Sequence, residues 1–130
     1  MSPEVVLLVA LGAAVGAPAR FLVERRMHGA YPWGTFLVNV VGSALLGALV
    51  GANVEGGLDE RWVVLVGTGF CGALTTFGGF GAQVLDLAAG PADRNPAARA
   101  RASTTYALTS AAVCVSAAAL AYVTVMSLMR

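Results

Sequence analysis

The chain has no lysine and a single histidine, His28. Eight arginines and seven acidic residues make up 12% of its 130 residues and leave a net charge of +1. Soluble globular domains carry roughly 25% charged residues, so this shortage argues against an ordinary soluble enzyme domain. With no lysine and almost no net charge there is no extended basic surface, which excludes nucleic acid as a partner. Only two cysteines are present, Cys71 and Cys114, both inside long apolar stretches and neither at metal-ligand spacing from His28. They are expected as free thiols. No Asp, Glu or His stands in the middle of any apolar stretch, and Glu4 lies close to the N-terminus. A proton-coupled carrier would want such a group at depth, which counts against that class.

What the chain does have is hydrophobic length: 58% of its residues are hydrophobic. Met27 to Val54, Trp62 to Leu85 and Ala102 to Met129 contain no charged residue, and Val5 to Val23 is interrupted only by Arg20. The three uncharged runs exceed the roughly 20 residues that carry a helix across about 30 Å of hydrocarbon, and the fourth approaches that length. The expectation is an all-α membrane protein, one domain over 1–130, with helices at Val5–Arg25, Trp33–Ala52, Trp62–Leu85 and Ser103–Leu128. Pro32 before Trp33 suits a helix start at the membrane surface, and Trp62 marks another. The second loop is acidic, with a Gly56-Gly57 turn, and the third, Asp86 to Arg101, is the longest and most basic. Glu4 and the absence of basic residues ahead of Val5 argue against a cleaved signal peptide.

Small residues are patterned along the spans. Gly12 and Gly16 form one GxxxG spacing and Gly47 and Gly51 another, which suits close helix packing either within a subunit or between subunits. Four short helices enclose little on their own, so a two-fold or pseudo-two-fold dimer is expected. From Gly67 to Gly81 the third span holds six glycines in fifteen residues, a density that weakens helix, and a break is expected around Gly72 to Gly79. Carbonyls freed there, with Thr75 and Thr76 beside them, are suited to a small cation. Phe77 and Phe80, three residues apart, share a face just beyond. As ordinary packing residues they would need no further role; as ring edges, which are electropositive, they can touch an anion without trapping it.

Uncharged donors accompany them. Asn39 lies one turn before Ser43, and Tyr106, Ser110 and Cys114 recur every four residues. Each alone would serve as an interhelical hydrogen bond. Arg20 either raises the local potential for an anion or pairs with Glu24 at i+4 near the helix end.

Three segments resemble the Fluc fluoride channels, also called CrcB. They are Gly16-Ala17-Pro18-Ala19-Arg20-Phe21, Gly34-Thr35-Phe36-Leu37-Val38-Asn39-Val40-Val41-Gly42-Ser43, and Gly69-Phe70-Cys71-Gly72-Ala73-Leu74-Thr75-Thr76-Phe77 followed by Phe80. The resemblance implies a multi-pass channel of the bacterial plasma membrane that lets fluoride leave passively, with no catalytic role. It implies an antiparallel dimer with two pores and a structural sodium ion. By position, Phe77, Phe80, Asn39, Tyr106 and Ser110 resemble pore-lining residues, Arg20 fits the helix-one motif, and the carbonyls of Gly72 and Thr75 match the sodium site. A non-conducting partner subunit is the alternative, and a small proton-coupled multidrug transporter is the more distant one.

Departures from that pattern are local. Gly78, Gly79 and Gly81 stand where hydroxyl residues are common, Gln83 where an acid is often found, and Cys114 where serine is expected, a poorer donor. The loops add an asymmetry. Arg25, Arg26, Arg94, Arg99 and Arg101 fall on one side of the four-span layout, against Arg61 and Arg130 on the other. That bias of five to two predicts insertion with both termini outside, and pairing with an inverted relative rather than with itself.

Overall fold

The structure is a computed structural model and describes residues 2–91 and 95–130. Four helices are long and apolar enough to cross a membrane: Pro3–Arg26, Trp33–Val54, Glu60–Ala89 and Pro96–Met129. The first is α1, started by Ser2, whose side chain accepts from the Val5 amide, and by Pro3 in the first turn. The second, α2 (Trp33–Val54), begins at the tryptophan that follows Pro32. The third span is composite. It comprises α3 (Glu60–Trp62), a π-helical segment (Val63–Cys71), α4 (Gly72–Leu74) and α5 (Phe77–Ala89). The last helix is α6 (Pro96–Met129).

The element ends differ from the sequence expectation for identifiable reasons. The last helix starts at Pro96 rather than Ser103, because Asn95 accepts from the Ala97 amide at 2.9 Å and Pro96 is preset for the first turn. At the other side of that loop α5 runs on to Ala89, so Asp86 is helical. It stops at Gly90, whose φ of +43° only glycine adopts easily and whose amide donates to the Asp86 carbonyl at 2.8 Å. The third span starts at Glu60 rather than Trp62, capped by Asp59 on the Arg61 amide at 2.8 Å.

Within the third span the chain is extended at Thr75 (φ −78°, ψ 155°) and Thr76 (φ −147°, ψ 123°). The nearby glycines Gly72, Gly78, Gly79 and Gly81 are themselves helical. In hydrocarbon no water rewards an unwound peptide, so glycine content alone does not open a helix. Several glycines instead let backbones touch. A Cβ on Gly12 would collide with the backbone of Leu65 and Phe70, and one on Gly16 with the Phe70 carbonyl. On the other side, Gly47 lies against the Ala118 backbone and Gly51 against that of Tyr122. Both GxxxG pairs therefore join helices of the same chain, α1 to the third span and α2 to α6.

The buried centre is small and made of Val38, Cys71, Leu74 and Tyr106 with Thr35, Ser103 and Ser110. Large apolar side chains such as Leu7, Val15, Leu108 and Leu120 point outward, as a lipid-facing bundle requires. The helix ends differ in charge. At one, Arg61 pairs with Glu4 at 2.8 Å and Arg130 with Glu55 at 3.4 Å. The other carries Arg25, Arg26, Arg99 and Arg101. Arg94, counted above on this side, lies outside the described residues.

If the glycine contacts hold the bundle, Gly47→Val will lower its stability by about 1–3 kcal/mol or more, since a backbone neighbour cannot move aside. Gly29→Ala, which meets open space, will not. Thermal unfolding in detergent, followed by tryptophan fluorescence, measures both.

Candidate functional site

An extended pair of residues inside a span leaves peptide groups that must find partners. Asn39 of α2 supplies two. The Thr76 amide, which a continuous helix would close onto the Gly72 carbonyl, donates instead to Asn39 Oδ1 at 2.7 Å. Asn39 Nδ2 donates back to the Thr76 carbonyl at 3.1 Å. From α1, Arg20 Nη1 donates to the Thr75 carbonyl at 3.3 Å. The threonine hydroxyls finish the arrangement. Thr75 Oγ1 donates to the Cys71 carbonyl at 2.9 Å, and Thr76 Oγ1 accepts from the Gly79 amide at 3.0 Å, capping α5. Gly42 has to be glycine here, because a Cβ would run into Thr75 Cγ2.

A cavity of about 380 Å³ opens beside the break. Its wall includes Asn39, Ser43, Gly72, Thr75, Phe77, Phe80, Ser110 and Cys114. No charged side chain is among its lining residues. The Phe77 and Phe80 ring centres are 6.0 Å apart, and Phe77 projects outward at 86% exposure while Phe80 is half-buried. Ser110 Oγ is buried and finds no hydrogen-bond partner among the described residues. A buried hydroxyl without a partner costs free energy unless something else occupies the position it faces.

Six of the eight residues singled out from sequence therefore share one cavity wall: Asn39, Gly72, Thr75, Phe77, Phe80 and Ser110. Tyr106 stands behind them, fully buried, with its ring 5.6 Å from that of Phe80 and edge-on to Tyr31 at 5.5 Å. Arg20 is absent from the wall; its guanidinium holds the Thr75 carbonyl. It makes no ion pair with Glu24, whose carboxylate accepts from Thr35 Oγ1 at 3.1 Å. Asn39 uses its carbonyl and one N–H on Thr76, so one N–H remains for another acceptor.

Sequence reasoning gave no role to Thr35, which is 1% exposed and bonded to both Glu24 and Gln83. The signal was present, since Thr35, Asn39 and Ser43 recur every four residues on α2 as Tyr106, Ser110 and Cys114 do on α6.

These features define a multi-span helical membrane protein whose site is an uncharged, mostly apolar cavity between helices, with a few polar side chains and two aromatic rings on its wall. Residues 7–122 match the family described as CrcB-like protein, Camphor Resistance (CrcB), and the chain belongs to that family. Among its relatives, a Streptomyces avermitilis protein named Fluoride-specific ion channel FluC 1 is 43% identical over 109 residues, covering 81% of this chain and 88% of its own length. A protein of the same name from Nocardia farcinica is 48% identical over 86 residues, covering 63% of this chain and 58% of its own length. One from Frankia casuarinae is 48% identical over 91 residues, covering 63% and 70%. The chain is thus a multi-pass protein of the bacterial plasma membrane and not an enzyme.

Asn39→Ala will remove the two hydrogen bonds that hold the break open and cost about 1–3 kcal/mol as the span rewinds away from its neighbours, read as a lowered Tm in detergent. Ser43→Ala, which removes no hydrogen bond to the break, will leave Tm nearly unchanged.

Proposed function

We propose that the chain is a fluoride channel subunit that lets the anion leave the cell passively through the cavity at the break. The observation that carries this reading is the set of uncharged donors and rings on one wall, above all the buried Ser110 hydroxyl, which has no hydrogen-bond partner among the described residues. The names of the relatives support it. Fluoride is small and strongly hydrated, and it enters a narrow route only if its water is replaced by donors. The spare Asn39 N–H, the Ser110 hydroxyl and the positive edges of Phe77 and Phe80 are such donors. None carries a full charge, so the anion is held weakly enough to move on. Tyr106, packed on Phe80, adds a phenol hydroxyl behind the ring.

The subunit works as an antiparallel dimer. Phe77 projects from the isolated chain, and a Cβ on Gly72, Gly78 or Gly81 would meet nothing, so this surface is available to a second copy or to an inverted relative. The basic end, with Arg25, Arg26, Arg99 and Arg101 against the paired Arg61 and Arg130, favours the inverted relative. Sodium fits the same surface. The carbonyl of Gly72 has lost its usual amide partner to Asn39, and that of Thr75 keeps a lone pair beyond its 3.3 Å bond from Arg20. Carbonyl oxygens suit a hard monovalent cation, and four of them from two subunits would hold a structural sodium ion that fixes the two breaks against each other.

Fluoride efflux from liposomes, read with an electrode and with chloride as control, tests the reading. The chain, alone or with an inverted relative, is expected to release fluoride and not chloride. Phe80→Ala and Ser110→Ala are expected to cut flux about tenfold or more while dimers persist, a loss on the scale of one charge-assisted hydrogen bond. Undiminished flux in both variants would remove this cavity from the route. Cysteines placed at the termini test orientation: labelling mainly from outside supports the heterodimer, and equal labelling from both sides defeats it.

A further inference from the structure

A second cavity, about 510 Å³, lies at the basic end of the bundle between loop one, the start of α2 and the end of α5. Glu24, Thr35 and Gln83 are on its wall. A chain of side-chain hydrogen bonds runs from it toward the anion cavity. Thr35 Oγ1 donates to Glu24 Oε1 at 3.1 Å, Gln83 Nε2 donates to Thr35 Oγ1 at 2.9 Å, and the Tyr106 hydroxyl donates to Gln83 Oε1 at 3.5 Å. The direction of every bond follows from the first. An ionised carboxylate only accepts, so Thr35 must give it the hydroxyl proton and take one from the Gln83 amide nitrogen. That turns the Gln83 carbonyl toward Tyr106, and the phenol proton is committed to Gln83.

The geometry points to Glu24 and Thr35 as positioning residues that set, through Gln83, whether Tyr106 offers its hydroxyl proton to the anion. This rests on the reading of the neighbouring cavity as a fluoride route. When a proton from water in the second cavity binds Glu24, the carboxyl becomes a donor to Thr35. Thr35 then donates to Gln83, the amide turns over, and its N–H₂ donates to the Tyr106 oxygen. The phenol proton is then released from Gln83. No bond other than hydrogen bonds changes, and the proton returns to water when Glu24 ionises again. The Tyr106–Gln83 contact is the longest in the chain, at the limit of hydrogen bonding, so it is the link that gives way first. Arg25, His28, Tyr31 and Asp86 share the cavity with Glu24, and Arg20 lies one turn back on α1, committed to Thr75. Low pH is therefore expected to speed fluoride passage.

Two readouts separate this device from the channel function beneath it. The first is fluoride efflux from vesicles holding the full chain, with its inverted relative if that is what conducts, stepped from about pH 8 to about pH 4, low enough for carboxylates to take up a proton. Protein-free vesicles are subtracted for HF leak. Wild type is expected to gain about tenfold, the worth of one charge-assisted hydrogen bond. Glu24→Gln is expected to be fast at every pH, and Thr35→Val, which keeps the carboxylate but cuts the chain, to lose the response. His28→Gln and Asp86→Asn are expected to keep it. The second readout is the infrared C–O stretch of Tyr106, isolated by subtracting Tyr106→Phe, which reports whether the phenol donates or accepts and needs no transport. It should shift with pH in wild type and stay fixed in Glu24→Gln and Thr35→Val. A fixed band in wild type, a full pH response in Thr35→Val, or loss of the response in His28→Gln overturns the proposal. A pH-dependent band without fluoride efflux at any pH leaves the switch standing and overturns the channel reading.

Discussion

One carboxamide and one peptide group, Asn39 and Thr76, decide what the third span can be. Their two hydrogen bonds, 2.7 and 3.1 Å, take the place of the helix bonds that Thr76 gives up. An unpaired peptide inside a bilayer costs several kcal/mol, so without Asn39 the span would close into continuous helix and the wall of the cavity would vanish. The extended residues also turn α5 so that Phe77 and Phe80 come to the same cavity as Ser110 on another helix. Arg20 belongs to this constraint as well. Its charge, costly in a span, rests against the Thr75 carbonyl that the break exposes.

The remainder of the bundle is arranged to hold that break between close neighbours. Glycines at positions 12, 16 and 69 bring α1 against the π-helical segment, and glycines at 47 and 51 bring α6 against α2. Among lipids there is little hydrophobic gain from joining helices, so backbone proximity and hydrogen bonds have to supply the association. Few large side chains are buried, and the interior is correspondingly rich in hydroxyls and glycine. Such an interior is poor material for a soluble core but suits helices that pack closely among lipids.

The four spans were legible because hydrophobic length is read directly from charge-free runs, and Asn39 and Ser110 stood out as polar residues interrupting those runs, Phe77 and Phe80 by their spacing beside the glycine-rich segment. Helix ends were less legible. Asn95 and Pro96 extend α6 well into a stretch whose arginines read as loop, because a good cap outweighs charge at a membrane surface. The role of the glycines was misweighted: their density reads as helix weakness, yet in hydrocarbon those beside the break remain helical and the extended residues are threonines held by a side chain from α2. Arg20 had two readings; it makes no ion pair with Glu24, and its guanidinium donates to the Thr75 carbonyl instead. Glu24, Thr35 and Gln83 escaped notice as a set because each comes from a different helix, and nothing in a linear sequence pairs them.

The site depends on the extended Thr75–Thr76 backbone, and solid-state NMR of the labelled chain in bilayers reads it directly. Extended-type carbon shifts at Thr75 and Thr76, with helical shifts at Leu74 and Phe77 and a collapse of that pattern in Asn39→Ala, are the predicted result. Helical shifts running unbroken from Leu74 through Phe77 would contradict it.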